Sequence, residues 1–257
     1  MTAAVERMLP LYEAKMIHHF DHRWATYGPA GSIRDVTEEE KQDPTFVVLP
    51  RYWVREEVVA DRLGVGVPDR LHGYRWVARS TDERTLIASS LPKAAAGNSL
   101  PVLHQGRRQA ALIALMSTFT CDYVARQKLG GANMTYGTLH QIAVPAPKAL
   151  EGACPWYPPK STYEWLCGAL DALGWDDLVQ RESVLRSLDA AVAHLYGLPE
   201  EDLDYILETF LIVKRKDERE HGEFRTKRLI LDAYAAMQCA IETGVPYRSP
   251  WDSGSLG

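Results

Sequence analysis

The amino-acid sequence predicts an α+β fold, with a mixed α/β domain over residues 1–150 and a helical domain or spacer over residues 151–257. Three observations support this division. Short segments rich in β-branched and apolar residues recur through the first hundred residues. An apolar pattern with spacings of three and four then runs from residue 110 to 126. After Pro147, segments with helical periodicity dominate, which indicates a second, helical part.

The first sixty residues predict two strands, a loop and a helix. Residues 9–18 alternate loosely between apolar and polar side chains, and residues 45–54 (TFVVLPRYWV) are β-branched and aromatic, so each segment predicts a strand. Residues 28–44 carry glycines and the charged run TEEEKQD, which indicates a solvated loop. Residues 55–63 (REEVVADRL) have helical spacing.

Two further strands are predicted at residues 73–78 and 85–90. Their polar junction contains Arg79 and Arg84, whose guanidinium groups suit bidentate contacts with phosphate or guanine. A solvent-exposed turn is the alternative interpretation of this junction. The loop that follows contains Asn98, which either donates to a base or completes the turn.

A buried helix with a basic end is predicted from residue 110, with an apolar pattern that runs to residue 126 and an end at Gly130 and Gly131. Arg126 and Lys128 lie in its last turn, where cations suit the negative end of the helix dipole. Gly130 and Gly131 indicate a C-cap with positive φ.

A polar loop follows this helix. It contains Asn133 and Thr135, whose side chains can form hydrogen bonds with a ligand. Residues 141–144 then predict a short strand.

The last hundred residues predict a linker followed by helices. Residues 154–161 (CPWYPPKS) are rich in proline and aromatic residues, which indicates the linker. Helices are predicted at residues 163–173, 179–196, 200–210 and about 218–242. Basic residues near the start of the last helix are candidates for phosphate contact: Arg225, Lys227 and Arg228. Residues 214–219 alternate in sign, which favours a salt-bridged surface, and the tail 246–257 is expected to be disordered or loosely docked.

Charge is distributed unevenly along the chain. The net charge is -5, yet residues 71–145 contain eight basic and three acidic residues. A positive middle between acidic flanks suits a DNA-facing surface on an otherwise acidic protein, and scattered surface arginine is the simpler alternative.

The composition also indicates the cellular compartment in which the protein is expected. The sequence contains neither an apolar run of about 18 residues nor the apolar core of a signal peptide, so we expect a cytoplasmic protein without membrane association. The four cysteines are scattered, and neither a disulfide framework nor a zinc knuckle is expected.

Two patterns near the N-terminus match catalytic sites only in part. His18 and His22 have the i, i+4 spacing of a metal-binding pair on a helix, but the H-E-x-x-H glutamate is missing and the aromatic neighbours indicate packing. Glu13 and Lys15 form the E-x-K half of a Mg²⁺ nuclease site, and no aspartate precedes them. We therefore predict no metal site and no catalytic residue in this chain.

Four ordered segments carry a family resemblance: residues 11–27, 78–92, 110–147 and 203–234. The third contains DYVARQK, Gly-Gly, a Thr/Tyr-rich loop and VPAP. Together they resemble the C-terminal target-recognition region of bacterial DNA adenine-N6 methyltransferases. The similarity is to type IIG restriction-modification proteins and to BREX- or DISARM-type phage-defence methylases, and more distantly to type I specificity subunits.

The resemblance implies a target-recognition domain that binds double-stranded DNA, with Lys15 and His18 as DNA-contact or scaffold residues. It also implies that the end of the central helix and the loop after it read or position DNA, through Arg126, Lys128, Asn133 and Thr135. Residues 43–46 (DPTF) lack the second proline of the D/N-P-P-Y/F tetrapeptide of amino-methyltransferases, and no Gly-rich cofactor loop precedes them. S-adenosylmethionine is therefore expected on a separate methyltransferase domain or subunit that flips and methylates the adenine. A self-contained methyltransferase or nuclease fragment and a protein-interaction scaffold are the alternative functions.

Overall fold

The structure, a computed structural model, describes residues 6–64, 70–103 and 109–248 and confirms the α+β fold. The strands are β1 (Met8–Tyr12), β2 (Ala25–Tyr27), β3 (Ile33–Asp35), β4 (Trp53–Arg55), β5 (Arg70–Tyr74), β6 (Ala88–Pro92), β7 (Ala95–Ala96), β8 (Ala153–Cys154) and β9 (Tyr157–Ser161). The helices are α1 (Glu38–Gln42), α2 (Glu56–Leu63), α3 (Gln109–Met116), α4 (Phe119–Lys128), α5 (Tyr136–Leu139), α6 (Pro147–Glu151), α7 (Thr162–Asp171), α8 (Leu178–Leu195), α9 (Glu200–Glu208), α10 (Leu211–His221) and α11 (Arg225–Thr243).

The described strands form several small sheets. β1 lies in the centre of a three-stranded sheet, antiparallel to β4 and parallel to β7. β5 and β6 form an antiparallel hairpin in which Arg70 lies opposite Pro92 and Tyr74 opposite Ala88. This hairpin packs on α3, so the central helices connect the sheets to the helical part.

The first two strands are shorter than predicted. β1 ends at Tyr12, and a 3₁₀ turn at Ala14–Met16 follows it. Within the second predicted strand, only its end forms a regular strand, which is β4. Upstream of β4, Leu49 bonds to Thr26 and Tyr27 and not to β1. The helix predicted from residue 55 to 63 is confirmed as α2.

The prediction of a solvated loop at residues 28–44 is wrong. This segment contains β3 and α1, because Thr37 and Glu40 form a capping box that begins a helix. Lys41 of α1 is buried, and its ammonium lies 2.9 Å from a carboxylate oxygen of Asp21.

The predicted central helix is divided into α3 and α4. Thr118 separates them, because its hydroxyl accepts a hydrogen bond from Cys121 N at 3.4 Å and donates one to Leu115 O at 2.8 Å. Both helices bury an apolar face, as the spacing predicted.

The end of α4 also differs from prediction. Its C-cap is Leu129 with a φ of -82°, and the predicted positive φ at Gly130 and Gly131 is not found. Leu129 is buried, and the chain then leaves the helix to pair with residues 76–78. The strand predicted at residues 141–144 is absent, because two short helices, α5 and α6, flank that segment.

The predicted linker at residues 154–161 is part of a core. β8 and β9 form a small hairpin around it, and Cys154 and Trp156 are fully buried. The Trp156 ring packs edge-on against Trp165 of α7, with 5.3 Å between ring centroids. The aromatic residues of this segment therefore pack in the core, and the segment is not a flexible linker.

Three predicted helices are confirmed as α7, α8 and α9, and the fourth is divided. Gly222, with a φ of 76°, ends α10 before α11 begins. Residues 214–219 lie on α10, where Lys214 and Lys216 form ion pairs with Glu208 and Glu83, as expected for a salt-bridged surface.

The tail is docked at least as far as Tyr247. Its backbone N–H donates to Trp156 O at 2.8 Å, and its hydroxyl lies 2.8 Å from the hydroxyl of Ser187. Residues 249–257 of the predicted loose tail lie outside the described residues.

The α/β part and the helical part share a hydrophobic cluster. Leu115 and Phe119 of the central helices pack in it with Leu207 and Phe210, and the two phenylalanine rings meet edge-on at 4.7 Å between centroids. The domain boundary near residue 150 therefore remains a prediction from the sequence. Within the described residues, no helix combines the length and the apolar character needed to cross a bilayer.

Candidate nucleic-acid interface

A groove of about 590 Å³ lies among α2, β7 and the start of α5. Trp76 and Tyr136 line it, and their rings meet edge-on with 5.9 Å between centroids. Tyr136 is 50% exposed, so its ring is accessible from solvent. Asn98 and Arg62 add polar groups to a lining that is otherwise mostly apolar, with Leu100 buried in it.

The polar loop after α4 reaches this groove because it pairs with the chain beyond β5. Ala78 N donates to Ala132 O at 3.1 Å, and Met134 N donates to Trp76 O at 2.7 Å. Met134 is fully buried and anchors the loop. The pairing therefore places Tyr136 beside Trp76.

The two predicted DNA-contact residues of this loop differ in the hydrogen bonding and the exposure of their side chains. Thr135 is the N-cap of α5 and accepts a hydrogen bond from Thr138 N at 3.1 Å, so its hydroxyl positions the turn that carries Tyr136. Asn133 is exposed, and its backbone forms a bridge with Val77. The Asn133 amide is thus the one of the two that faces solvent.

Asn98 reaches the same groove from the loop after β7. Gly97 N donates to Tyr12 O at 2.8 Å, and a Cβ on Gly97 would lie 3.4 Å from that carbonyl and from the Leu11 side chain. Asn98, the next residue, is exposed. Two loops that the sequence predicted separately therefore converge on one groove.

Exposed cations without an ion-pair partner among the described residues lie on several elements. Arg79, Lys128 and Lys15 are the ones predicted from the sequence. Arg79 directly follows the segment that pairs with the polar loop, whereas Lys15 lies on the 3₁₀ turn and does not line the groove. Arg62 does line it and was not predicted, because α2 is a mixed-charge helix in which one arginine carries no distinguishing signal.

Arg84 and Arg126, also predicted as DNA contacts, are turned inward. The Arg84 Nε lies 2.6 Å from Asp122 Oδ2, and another nitrogen of the same guanidinium donates to Ser117 O at 2.8 Å. Arg126 donates to the carbonyls of Asp82 and Glu83 at 2.8 Å each. Their side chains are 11% and 12% exposed, so these guanidinium groups hold the junction of the two halves and are not presented to a ligand.

The three basic residues at the start of α11 are each matched by carboxylates. Their ion pairs are Arg225 with Glu182, Lys227 with Asp204 and Glu208, and Arg228 with Glu223 and Asp232. A phosphate would have to compete with these acids, so α11 offers less positive potential than its sequence indicated.

His18 has a packing role. Its ring lies against Trp24, with 4.4 Å between centroids. Burial, followed by the charges of Arg75 and Arg84, lowers the pKa of His18 to about 3. The imidazole is therefore neutral at physiological pH and adds no positive charge toward a phosphate. Residues 18–22 form a turn, so His18 and His22 do not share a helix face.

Acidification is expected to destabilise the protein through His18. The unfolded imidazole, with a pKa of about 6.5, takes up a proton that the folded one does not, so stability falls as pH drops through that value toward the folded pKa. At about pH 5 the loss relative to neutral pH is roughly 2 kcal/mol. Urea unfolding of the parent and of His18→Gln at both pH values measures the contribution of His18 as a difference, which removes the contributions of the other titrating groups. Equal pH dependence in the two proteins would contradict it.

Comparison with protein-family models, curated proteins and solved structures finds no match to this chain. The resemblance to DNA methyltransferase recognition regions therefore depends on the sequence motifs alone.

Proposed function

We propose that this chain is the DNA-recognition component of a bacterial restriction-modification or phage-defence adenine-N6 methyltransferase. It binds double-stranded DNA in the cytoplasm, and a separate methyltransferase domain or subunit holds S-adenosylmethionine and performs the methyl transfer. The observation that carries the proposal is the convergence of Asn98, Trp76 and Tyr136 on one groove. Arg62, which has no ion-pair partner among the described residues, also lines this groove.

The chemistry of this surface matches the two tasks of a DNA reader. Arg62 in the groove, and Arg79 and Lys128 outside its lining, have no ion-pair partner within the described part of the chain. In this proposal these cations bind phosphates and set the register of the duplex. Exposed amides such as Asn98 and Asn133 bond to base edges, of which adenine is the usual partner of asparagine. The exposed ring of Tyr136 supplies a surface for apolar or stacking contacts with a base.

Loss of Arg79 is expected to weaken binding to a mixed-sequence duplex and to make it less sensitive to salt. Each phosphate contact contributes about one unit to the slope of log affinity against log salt concentration, so Arg79→Ala lowers the slope by about one. Fluorescence anisotropy of labelled duplex across a salt series measures it. Arg228→Ala is the matched control, because Arg228 is also exposed but is paired with Glu223.

An affinity of the parent that is independent of salt would contradict the proposal and favour a protein-interaction scaffold, since apolar interfaces respond little to ionic strength. Cleavage or methylation of DNA by the purified chain alone would favour the self-contained enzyme. Equal salt slopes for Arg79→Ala and the parent would remove Arg79 from the interface.

The groove itself is tested at Tyr136. Tyr136→Ala is expected to weaken duplex binding about tenfold or more, because a contact between a base and an aromatic ring is worth about 1–3 kcal/mol. Tyr205→Ala serves as control, since Tyr205 is similarly exposed, at 63%, on α9. If both variants bind DNA as the parent does, the groove is not the reading surface.

A further inference from the structure

The groove that contains Tyr136 has an apolar floor and a partly polar rim. Its floor includes the buried side chains of Leu71 and Leu100. Three of the residues that line it are exposed and therefore lie at its rim: Arg62, Asn98 and Tyr136. The volume of about 590 Å³ is within the range of sites that enclose a small molecule.

The floor of this groove does not match the surface of a paired duplex. The outside of a duplex is the phosphate backbone, and its grooves present only the edges of the bases. The flat apolar faces of the bases are hidden, because the bases stack on one another. A duplex lying across the groove would therefore place polar or charged groups over apolar side chains such as Leu100. A base that leaves the stack exposes a face that can cover this floor.

The ring of Tyr136 is held in position for such a base. It meets two further rings edge-on, those of Tyr74 and Trp76, at 6.3 and 5.9 Å between centroids. The backbone of Trp76 is fixed on both sides, because its N–H donates to Ser99 O at 2.9 Å and its carbonyl accepts from Met134 N at 2.7 Å. Tyr136 therefore loses little conformational freedom when a base stacks on it, which favours binding.

Asn98 and Arg62 suit the edge and the phosphate of a nucleotide. The Asn98 amide is exposed and forms no hydrogen bond with another described residue. It offers an acceptor and two donors, a combination that pairs with N6 and N7 of adenine. Arg62 is exposed on α2, and no carboxylate is present among the described residues that line the groove. The charge of this lining therefore complements an anionic ligand.

We propose that this groove binds a nucleotide whose base is unpaired, with the base against Tyr136 and Trp76, its edge at Asn98 and its phosphate at Arg62. The inference rests on the proposed function in so far as the nucleotide belongs to a DNA strand. The chain then draws one base out of the duplex, and breaking that pair weakens the observed binding. A free nucleotide is the other source of the same chemistry.

Fluorescence anisotropy with two labelled duplexes of otherwise identical sequence tests this site. One duplex is fully paired, and the other carries a single bulged adenine. The parent is expected to bind the bulged duplex about tenfold more tightly, because no pair has to be broken. Tyr136→Ala is expected to lose this gain, whereas Tyr205→Ala, at an exposed tyrosine of α9, keeps it. Asn98→Ala is expected to weaken binding to the bulged duplex about fivefold.

A bulge also makes DNA easier to bend, which can raise affinity without any contact to the base. A third duplex with an abasic bulge controls for this effect, since it retains the flexibility and lacks the base. We expect the abasic bulge to bind clearly more weakly than the adenine bulge in the parent, and the two to bind equally in Tyr136→Ala.

Titration of the full chain with deoxyadenosine monophosphate distinguishes the two sources of the nucleotide. A gain from the bulged adenine that Tyr136→Ala loses assigns the groove to a DNA strand. Binding of the free nucleotide with a Kd below about 1 mM, lost in Tyr136→Ala and without a gain from the bulge, assigns it to free nucleotides.

Failure of this inference differs from failure of the proposed function. If neither the paired nor the bulged duplex binds, the proposed function is wrong, and the titration with deoxyadenosine monophosphate alone decides whether the groove takes a nucleotide. If the paired duplex binds, the gain from the bulged adenine is absent or persists in Tyr136→Ala, and the free nucleotide does not bind, this inference is overturned while the proposed function stands. The apolar floor then belongs to another class of ligand, such as a peptide segment.

Discussion

Asp122→Ala is expected to lower the free energy of unfolding by about 3–5 kcal/mol, because it leaves two buried guanidinium groups without their counter-charge. Asp122 is fully buried. Its carboxylate accepts from Arg84 Nε at 2.6 Å and from Thr85 N at 3.0 Å, and it lies 3.5 Å from Arg126. One residue therefore compensates both inward-facing arginines and a backbone donor.

Urea unfolding followed by tryptophan fluorescence measures the loss, with the slope of the transition checked for two-state behaviour. Asp122→Asn retains an acceptor but not the charge, so it is expected to be intermediate. In a double-mutant cycle, Arg84→Ala combined with Asp122→Ala should cost less than the sum of the single losses, because the second change removes a charge that the first left unpaired.

Asp232→Ala is the matched control for Asp122→Ala. Asp232 also pairs with an arginine, Arg228, at 3.3 Å, but its side chain is 66% exposed. Solvent screens this pair, so the expected loss is about 0.5 kcal/mol or less. Similar losses at Asp122 and Asp232 would contradict the account of a buried charge centre.

Local sequence pattern was sufficient for three of the four helices predicted after residue 160. α7, α8 and α9 lie within two residues of their predicted bounds, since their apolar spacing and their caps are properties of neighbouring residues. The capping box of α1 was equally local, with Thr37 and Glu40 three residues apart, but the charge run TEEEKQD concealed it. Burial of Lys41 could not be inferred, because its partner Asp21 is brought near by tertiary packing.

Prediction of the candidate site was limited in the same way, because ion-pair partners that lie far apart in the sequence could not be inferred. Arg79 and Arg84 are equivalent in the sequence, yet only Arg84 finds a carboxylate, and that carboxylate lies 38 residues further along the chain. A pattern of charges cannot distinguish a phosphate-binding arginine from one that neutralises a buried acid. Tyr136 and Trp76 carried a more general signal, since aromatic residues are enriched in binding interfaces.

Trp156→Ala is expected to lower the free energy of unfolding by about 3–5 kcal/mol, the usual cost of deleting a buried tryptophan ring. Its ring is fully buried against Trp165, and its carbonyl accepts from Tyr247 N, so the cavity would also loosen the docked end of the chain. The indole N–H has no described partner. Trp156→Phe therefore loses side-chain volume but no hydrogen bond. It is expected to lower the free energy of unfolding clearly less than Trp156→Ala does.

The matched control is Trp53→Ala, because Trp53 is 49% exposed on β4 and its removal opens no internal cavity. A surface change of this kind is expected to stay within about 1 kcal/mol. Urea unfolding with near-ultraviolet circular dichroism separates the two positions. Equal losses at Trp156 and Trp53 would mean that residues 154–161 behave as the linker their prolines first indicated. A large difference places them in the core, because a proline-rich segment can still be ordered when its aromatic rings have apolar surface to cover.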